Sequence, residues 1–249
     1  MTSATSRRQW LKQTALAAGA FSLSRDLFAR EAFRNPRLEW TPGIIKLSSN
    51  ENPHGPGSLA RKAMAEAIAS SNRYPWDVTT QLREKIGAQT GHTKNHITIG
   101  AGSSELLGVV SAWAAMQKGN AVAPDPTFRL WIPAARKLGL NIKLVKLTAD
   151  KKTDLQKMKD AMDSETRMVY ICNPGNPTGT VIPAPELEAF IKEIAPRAII
   201  LLDEAYTEFS DEPSMAKWVD QYPNLIIAKT FSKIYGMAGA RVGYALANP

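Results

Sequence analysis

The chain has 249 residues, of which 44% are hydrophobic and 22% charged, a composition typical of a globular protein rather than a disordered or fibrous one. This length is enough for one large domain with a sizeable core, and no run of about 18 or more uncharged apolar residues predicts a membrane span. The single cysteine, Cys172, excludes an internal disulfide and lies in an apolar run where an inert buried thiol is expected.

The net charge of +8 is concentrated near the N-terminus, because the first 46 residues hold eight Lys or Arg and only three Asp or Glu. The rest of the chain is nearly balanced in charge. A nucleic-acid-binding domain would carry a basic stripe with aromatic side chains or a recognisable reading element. Neither is present in the sequence, so no nucleic-acid partner is predicted.

The first predicted element is a targeting signal over residues 1–29. Arg7 and Arg8 precede Trp10 and a weakly apolar stretch over residues 14–23, a pattern that resembles a bacterial twin-arginine signal. Trp10 stands where the usual pattern has Phe, and no clean cleavage site follows. This route exports folded proteins to the periplasm, so a periplasmic location is expected. The alternative is a frayed basic tail on a cytoplasmic protein.

An N-terminal arm and a large domain are predicted next, at residues 30–57 and 58–249. Residues 36–57 are rich in Pro, Gly and Asn and lack periodicity, which is typical of an extended segment. Apolar spacing then predicts helices at residues 58–70, 79–89, 103–117, 130–137, 154–162, 185–194 and 215–219. Strands are predicted at residues 97–100, 121–123, 142–147, 168–172, 198–202, 225–228 and 242–247.

The fold class follows from how these elements alternate. The apolar runs of the strands do not alternate with polar residues, which indicates strands buried on both faces. Strand and helix in turn predict a three-layer α/β/α domain with a mainly parallel, seven-stranded sheet. Ligands of such sheets bind beyond the carboxyl ends of the strands.

Polar motifs follow several of these strands. Asn176 lies in an Asn-Pro-Gly-Asn-Pro-Thr-Gly segment, Asp203 and Tyr206 lie in Asp-Glu-Ala-Tyr, and Lys233 and Arg241 lie in a glycine-rich loop near the end. A Gly-Ala-Gly-Ser-Ser turn at residues 100–104 precedes a helix. Each motif alone could be a turn, a helix start or a generic anion site. Together they suggest a lysine for a carbonyl cofactor, with a hydroxyl and a guanidinium for its phosphate.

In this order the motifs resemble those of the aspartate-aminotransferase superfamily, the fold-type-I enzymes that use pyridoxal 5′-phosphate. Within it, the chain is most similar to the histidinol-phosphate aminotransferase group. The likeness runs from about residue 40 to the end of the chain. Besides the loop of Lys233, it includes Ser-Ser-Asn-Glu-Asn-Pro at residues 48–53, Tyr74-Pro75 and Pro-Thr-Phe at residues 126–128.

The resemblance implies a role for each residue around the reacting carbon. Lys233 would bind the aldehyde of pyridoxal 5′-phosphate as a Schiff base and later move a proton. Asp203 would pair with the pyridine nitrogen, which makes the ring an electron sink. Tyr206 and Asn176 would hydrogen-bond the 3′ oxygen, and Phe128 would stack on the ring where many relatives carry Tyr.

The phosphate would be held by backbone N–H groups at a helix start and by side chains of the lysine loop. This set comprises Ala101, Gly102, Ser103, Thr230, Ser232 and Arg241. No metal is expected, because the three histidines have no metal-ligand spacing with carboxylates.

Three further residues of the resemblance point to a partner subunit and to the substrate. Tyr74 would contact the phosphate in the neighbouring subunit, so a homodimer with shared active sites is implied; the alternative is a buried structural tyrosine. Asn50 and Asn52 would border the substrate.

The resemblance also implies that part of the domain organisation is missing. Members of the family continue past the last predicted strand for roughly a hundred residues, enough for a small second domain that grips the substrate carboxylate. We therefore expect the chain to be a fragment; the alternative is that the protein ends at Pro249.

The implied activity is transfer of an amino group between an amino acid or amino-alcohol phosphate and a 2-oxo acid. Two alternatives are a decarboxylase or lyase on the same scaffold, and a truncated, non-catalytic fragment that binds the cofactor. The residues that hold the cofactor do not separate these activities, because all of them stabilise the same carbanion.

Overall fold

The computed structural model describes residues 45–249. The predicted twin-arginine signal and most of the predicted arm lie outside the described residues. Residues 50–249 form one unit, which contains all of the elements below. Within it, the segment before Ser58 contains no helix or strand.

Helices and strands alternate along the described chain. The α-helices are α1 Ser58–Ala67, α2 Trp76–Thr90, α3 Ser103–Met116, α4 Trp131–Lys137, α5 Leu155–Asp160 and α6 Ala184–Ile194. The strands are β1 Ile97–Gly100, β2 Asn120–Asp125, β3 Asn141–Lys146, β4 Thr166–Cys172, β5 Ile199–Asp203, β6 Leu225–Thr230 and β7 Gly243–Leu246. Short 3₁₀ helices span Ile68–Ser70, Lys94–His96, Thr207–Phe209, Met215–Trp218 and Ala238–Ala240.

The strands form one sheet in the order β1-β7-β6-β5-β4-β2-β3. All pairs from β6 to β3 are parallel, whereas β7 is antiparallel to both β1 and β6. The predicted mainly parallel, seven-stranded sheet is therefore confirmed. Asp203, the last residue of β5, is level with Cys172 at the end of β4 and with Ala228 of β6.

Two apolar cores lie on opposite faces of the sheet. Val169 and Ile171 of β4 belong to one core together with residues of α2, α5 and α6. Met168 and Tyr170 of the same strand belong to the other core with residues of α3 and α4. Alternate residues of one strand thus pack on different helical layers, which confirms the predicted three-layer arrangement.

Some element boundaries differ from the prediction for local reasons. Helix α2 begins at Trp76, three residues earlier than predicted, directly after Pro75. Asp154 precedes α5 instead of lying in it, because its carboxylate caps the helix by accepting a hydrogen bond from the Lys157 N–H at 2.9 Å. The predicted helix at residues 215–219 is a 3₁₀ helix.

The central strands should carry the largest share of the packing energy. Leu201 of β5 is fully buried, so Leu201→Ala should lower the free energy of unfolding by about 2–5 kcal/mol, measured by urea denaturation. The control is Leu144→Ala on edge strand β3, where the leucine is 38% exposed and the expected loss is about 1 kcal/mol or less. Equal losses of stability at the two positions would contradict the claim that the central strands carry the largest share of the packing energy.

Candidate active site

Loops that follow β4, β5 and β6 meet at the carboxyl edge of the sheet. The Tyr206 hydroxyl accepts hydrogen bonds from Asn176 Nδ2 at 3.3 Å and from Asn50 Nδ2 at 3.0 Å. Lys233 Nζ lies 5.4 Å from the centroid of the Tyr206 ring. The structure therefore brings together side chains that are up to 183 residues apart in the sequence.

The Asp203 carboxylate is buried at the end of β5. Its Oδ2 accepts a hydrogen bond from the Tyr170 hydroxyl at 3.0 Å, and its Oδ1 accepts one from the Ala205 N–H at 3.1 Å. Burial raises the pKa of Asp203 to about 6, although both hydrogen bonds and the positive charge of Lys233 favour the ionised form. A cation placed against this carboxylate would offset part of the cost of its burial.

Glu204, the neighbour of Asp203, is paired with other residues of the fold. It is also buried, and its carboxylate accepts hydrogen bonds from Ser214 Oγ at 2.5 Å and the Met215 N–H at 2.8 Å, and from Lys229 Nζ of β6 at 3.3 Å. Burial alone would lower the pKa of Lys229, but Glu204 and Glu208 outweigh it and raise that pKa. This ion-pair network anchors the loop of Asp203 and Tyr206 to the next strand.

A second group of predicted residues gathers at the start of α3. Gly102 has a φ of 75°, and a Cβ there would lie 2.4 Å from Nη2 of Arg241. Arg241 in turn donates a hydrogen bond to the Ala101 carbonyl at 3.2 Å. The glycine therefore allows the guanidinium to approach the backbone just before Ser103, the first residue of the helix.

This helix start has the donors that an anion requires. The Ala101 N–H donates to the carboxylate of Glu105 at 2.5 Å, so a negatively charged group already binds there. Thr230 Oγ1 donates to Ser232 Oγ at 2.9 Å, which leaves the Ser232 hydroxyl proton for another acceptor. The donor set and the glycine cradle fit a phosphate group.

The predicted arm packs against the loop of Lys233. Lys233 Nζ donates to the Asn50 carbonyl at 2.9 Å, and Asn52 Nδ2 donates to the Ile234 carbonyl at 2.9 Å. A Cβ on Gly236 would lie 2.3 Å from the Gly55 carbonyl oxygen, so the two segments approach closely. These contacts place Asn50 beside the site, while contact of Asn50 and Asn52 with substrate stays a prediction.

Two predicted residues do not join this group within the chain. Phe128 is partly buried and packs against the core of α3 and α4. Tyr74 is 83% exposed and stacks on Trp76 with 5.6 Å between ring centroids, so it is not the buried structural tyrosine of the alternative interpretation. Their predicted contacts with the cofactor stay predictions.

Three residues that support the site through hydrogen bonds or ion pairs were not assigned a role from the sequence: Tyr170, Glu204 and Lys229. Tyr170 offered a signal, since a tyrosine in an aliphatic buried strand needs a hydrogen-bond partner. Lys229 could also have been noticed in the sequence, because a lysine inside an apolar strand needs a counter-charge.

The described residues contain no group of three or more His, Cys, Asp or Glu that could hold a metal ion. In the same part of the chain, no helix is both long and apolar enough to cross a membrane.

Three known proteins illustrate what the chain is similar to. It is 39% identical over 211 residues to histidinol-phosphate aminotransferase 1 of Cupriavidus pinatubonensis, covering 83% of this chain and 56% of the relative. The crystal structure of the Sinorhizobium meliloti histidinol-phosphate aminotransferase in complex with pyridoxal-5′-phosphate matches with a TM-score of 0.74 and 30% identity, over 80% of this chain and 55% of that one. The L-threonine-O-3-phosphate decarboxylase of Porphyromonas gingivalis shares the fold, with a TM-score of 0.71 and 22% identity over 82% of this chain and 60% of that one.

The chain thus spans little more than half the length of the curated relatives that it matches. Within that span, the sequence model of the family "Aminotransferase class I and II" matches residues 42–249, which include every element of the sheet and every residue of the site described above. The chain therefore belongs to the class I and II aminotransferase family.

Proposed function

We propose that the protein is an aminotransferase that exchanges an amino group between an amino donor of the histidinol-phosphate type and a 2-oxo acid. The observation that carries this proposal is the meeting of Lys233, Asp203, Tyr206 and Asn176 at the carboxyl edge of the sheet. The similarity to histidinol-phosphate aminotransferases supports the choice of donor. The predicted cofactor, pyridoxal 5′-phosphate, is confirmed by the family match together with the similar Sinorhizobium meliloti structure that contains it.

The residues present fit this cofactor at each of its polar ends. Ser232, Arg241 and the backbone at Ala101 would hold the phosphate at the start of α3, where a carboxylate now accepts the N–H. Asp203 would bind the ring nitrogen, because a buried carboxylate gains most from a cationic partner. Tyr206, already hydrogen-bonded by Asn176, would bind the ring's hydroxyl oxygen.

When bound, the cofactor supplies an aldehyde that takes up the amino group and a ring that accepts an electron pair. The chain supplies the proton transfers and the orientation. Lys233 Nζ would move the proton, and its hydrogen bond to the Asn50 carbonyl orients the amine over the Tyr206 ring. Asp203 would keep its partner nitrogen protonated by its negative charge, which acts more strongly at a buried position than in water.

We also propose that the active protein is a homodimer in which Tyr74 reaches the neighbouring subunit's phosphate site. Tyr74 and Trp76 are 83% and 73% exposed, and they stack on each other at the start of α2. Exposed aromatic pairs of this kind favour a protein contact. The dimer would complete a site that lacks this phosphate contact within one chain.

The function is tested by incubating the protein, loaded with pyridoxal 5′-phosphate, with L-histidinol phosphate. The cofactor should convert to its pyridoxamine form with one keto product per site, and a 2-oxo acid should restore the original absorbance spectrum. In Lys233→Ala, both conversions should be lost, and borohydride should no longer fix cofactor covalently to the chain. Lys62→Ala, a change at a lysine 74% exposed on α1, serves as the matched control.

The outcomes separate the competing functions. L-Histidinol phosphate has no carboxylate to lose, so the incubation is repeated with α-amino acids as donors. Release of carbon dioxide from one of them instead of a keto product would support the decarboxylase. Cofactor uptake without conversion by any amino donor would support a non-catalytic fragment. Stoichiometric borohydride fixation in Lys233→Ala would show that another lysine binds the cofactor.

The burial of Asp203 predicts a pH dependence of stability in the cofactor-free protein. The pKa of about 6 in the folded state exceeds the roughly 3.9 of an unfolded Asp, so stability is full below pH ~4 and falls as the pH rises through 6. The difference of about two units corresponds to about 3 kcal/mol. Asp203→Asn should lack this loss, so its free energy of unfolding relative to wild type should rise between pH 4 and pH 8.

Urea denaturation across this pH range measures the effect. Asp211→Asn, which changes an exposed carboxylate in the loop before the 3₁₀ helix Met215–Trp218, should keep the wild-type profile. A profile of Asp203→Asn parallel to that of wild type would contradict a net cost of burying the Asp203 carboxylate.

We propose further that residues 1–29 direct twin-arginine export to the periplasm. The paired arginines and the weakly apolar stretch after them support this proposal. Replacing Arg7 and Arg8 together by lysine should trap the protein in the cytoplasm of a bacterial host, as measured by cell fractionation and immunoblotting. An unchanged periplasmic yield would contradict export by this route.

A further inference from the structure

Tyr170 is a fully buried tyrosine of β4 that the proposed reaction does not yet use. Its hydroxyl donates a 3.0 Å hydrogen bond to Asp203 Oδ2 on the neighbouring strand β5. A buried tyrosine hydroxyl needs a partner, and here that partner is the carboxylate assigned to the ring nitrogen. The bond joins the two central strands at the level of the site.

The ring of Tyr170 is itself fixed by a buried chain of contacts. It stacks on Trp131 of α4 with 4.0 Å between centroids and an interplanar angle of 13°. The Trp131 indole N–H donates to Ser111 Oγ at 3.0 Å, and Ser111 donates to the Leu107 carbonyl at 2.7 Å within α3. The hydroxyl therefore points at Asp203 from a side chain that has little freedom to turn away.

The other groups around Asp203 do not duplicate this contact. Lys233 attracts the carboxylate and Glu204 repels it through space, and the Ala205 N–H binds the opposite oxygen. Cys172 stays a thiol, because burial raises its pKa well above the usual value. Among the described residues, Tyr170 gives the one side-chain hydrogen bond that Asp203 accepts.

Burial also raises the pKa of Tyr170 well above its ordinary value, so the hydroxyl keeps its proton and acts as a donor. A donor stabilises the ionised carboxylate and fixes the direction of its oxygens. Both properties decide how well Asp203 can bind a protonated ring nitrogen.

We propose that Tyr170 is a positioning residue of the active site, which acts on the cofactor through Asp203 by holding this carboxylate ionised and in one orientation. The inference rests on the proposed function, because it presupposes that Asp203 binds the ring nitrogen. It adds that the stacked pair Trp131–Tyr170 supports the site by holding the Asp203 carboxylate.

A double-mutant cycle tests the inference. The variants are Tyr170→Phe, Asp203→Asn and the two combined, and the first readout is the dissociation constant of pyridoxal 5′-phosphate from absorbance titration of the cofactor-free protein. Tyr170→Phe should weaken binding about tenfold, as expected for one hydrogen bond to a charged group. The double variant should bind no more weakly than Asp203→Asn, because the hydroxyl then has no carboxylate to act on.

The second readout needs no cofactor. In Tyr170→Phe, the fall of stability with rising pH should begin at the same pH as in wild type but extend to higher pH, because the folded-state carboxylate has lost a donor to its charged form. The combined variant should show no such fall. Because Phe keeps the ring and its stack on Trp131, a merely structural loss would lower stability equally at every pH.

Tyr222→Phe is the matched control, since this partly buried tyrosine packs against Trp218 with 6.0 Å between centroids. It should leave both readouts unchanged. Wild-type affinity and pH profile in Tyr170→Phe, or additive losses of affinity in the double variant, would overturn the inference. If the wild type takes up no cofactor, the proposed function fails, and the pH profiles alone still decide whether Tyr170 acts on Asp203.

Discussion

The site depends on one constraint, the burial of the Asp203 carboxylate at the end of a central strand. A buried carboxylate is costly unless donors or a cation surround it. Tyr170 and the Ala205 N–H satisfy part of this requirement, and burial still raises the pKa to about 6. The remaining cost is what a protonated ring nitrogen would relieve, so an unfavourable feature of the fold becomes a source of binding energy.

The groups around this carboxylate are held by the scaffold rather than by free loops. The Asn173 N–H donates to the Asp203 carbonyl at 3.0 Å, which fixes the start of the Asn176 loop to the end of β5. Glu204 ties the following loop to Lys229 of β6, and Asn52 ties the arm to the lysine loop. Such anchoring fixes the Lys233 amine and the Tyr206 hydroxyl relative to the sheet, as the proposed proton transfer would require.

Much of the fold could be predicted because burial leaves a readable pattern. Unalternating apolar runs indicated the two-faced sheet, and the chain order of the polar motifs indicated the cofactor site. These patterns do not predict which residues far apart in the sequence contact each other. The pattern of β7 does not encode its antiparallel direction, and the sequence around Tyr170 shows that its hydroxyl needs a partner without showing that the partner is Asp203. The start of α5 depends on the cap that Asp154 provides, which apolar spacing does not reveal.

The central claim is that Asp203 and Lys233 form the two ends of one pyridoxal-phosphate site. A crystal structure of the protein grown with the cofactor tests it most directly. The account predicts continuous density between the cofactor and Lys233 Nζ, with the ring nitrogen about 3 Å from the Asp203 carboxylate. A cofactor bonded to a different lysine, or a ring nitrogen that faces a group other than Asp203, would contradict it.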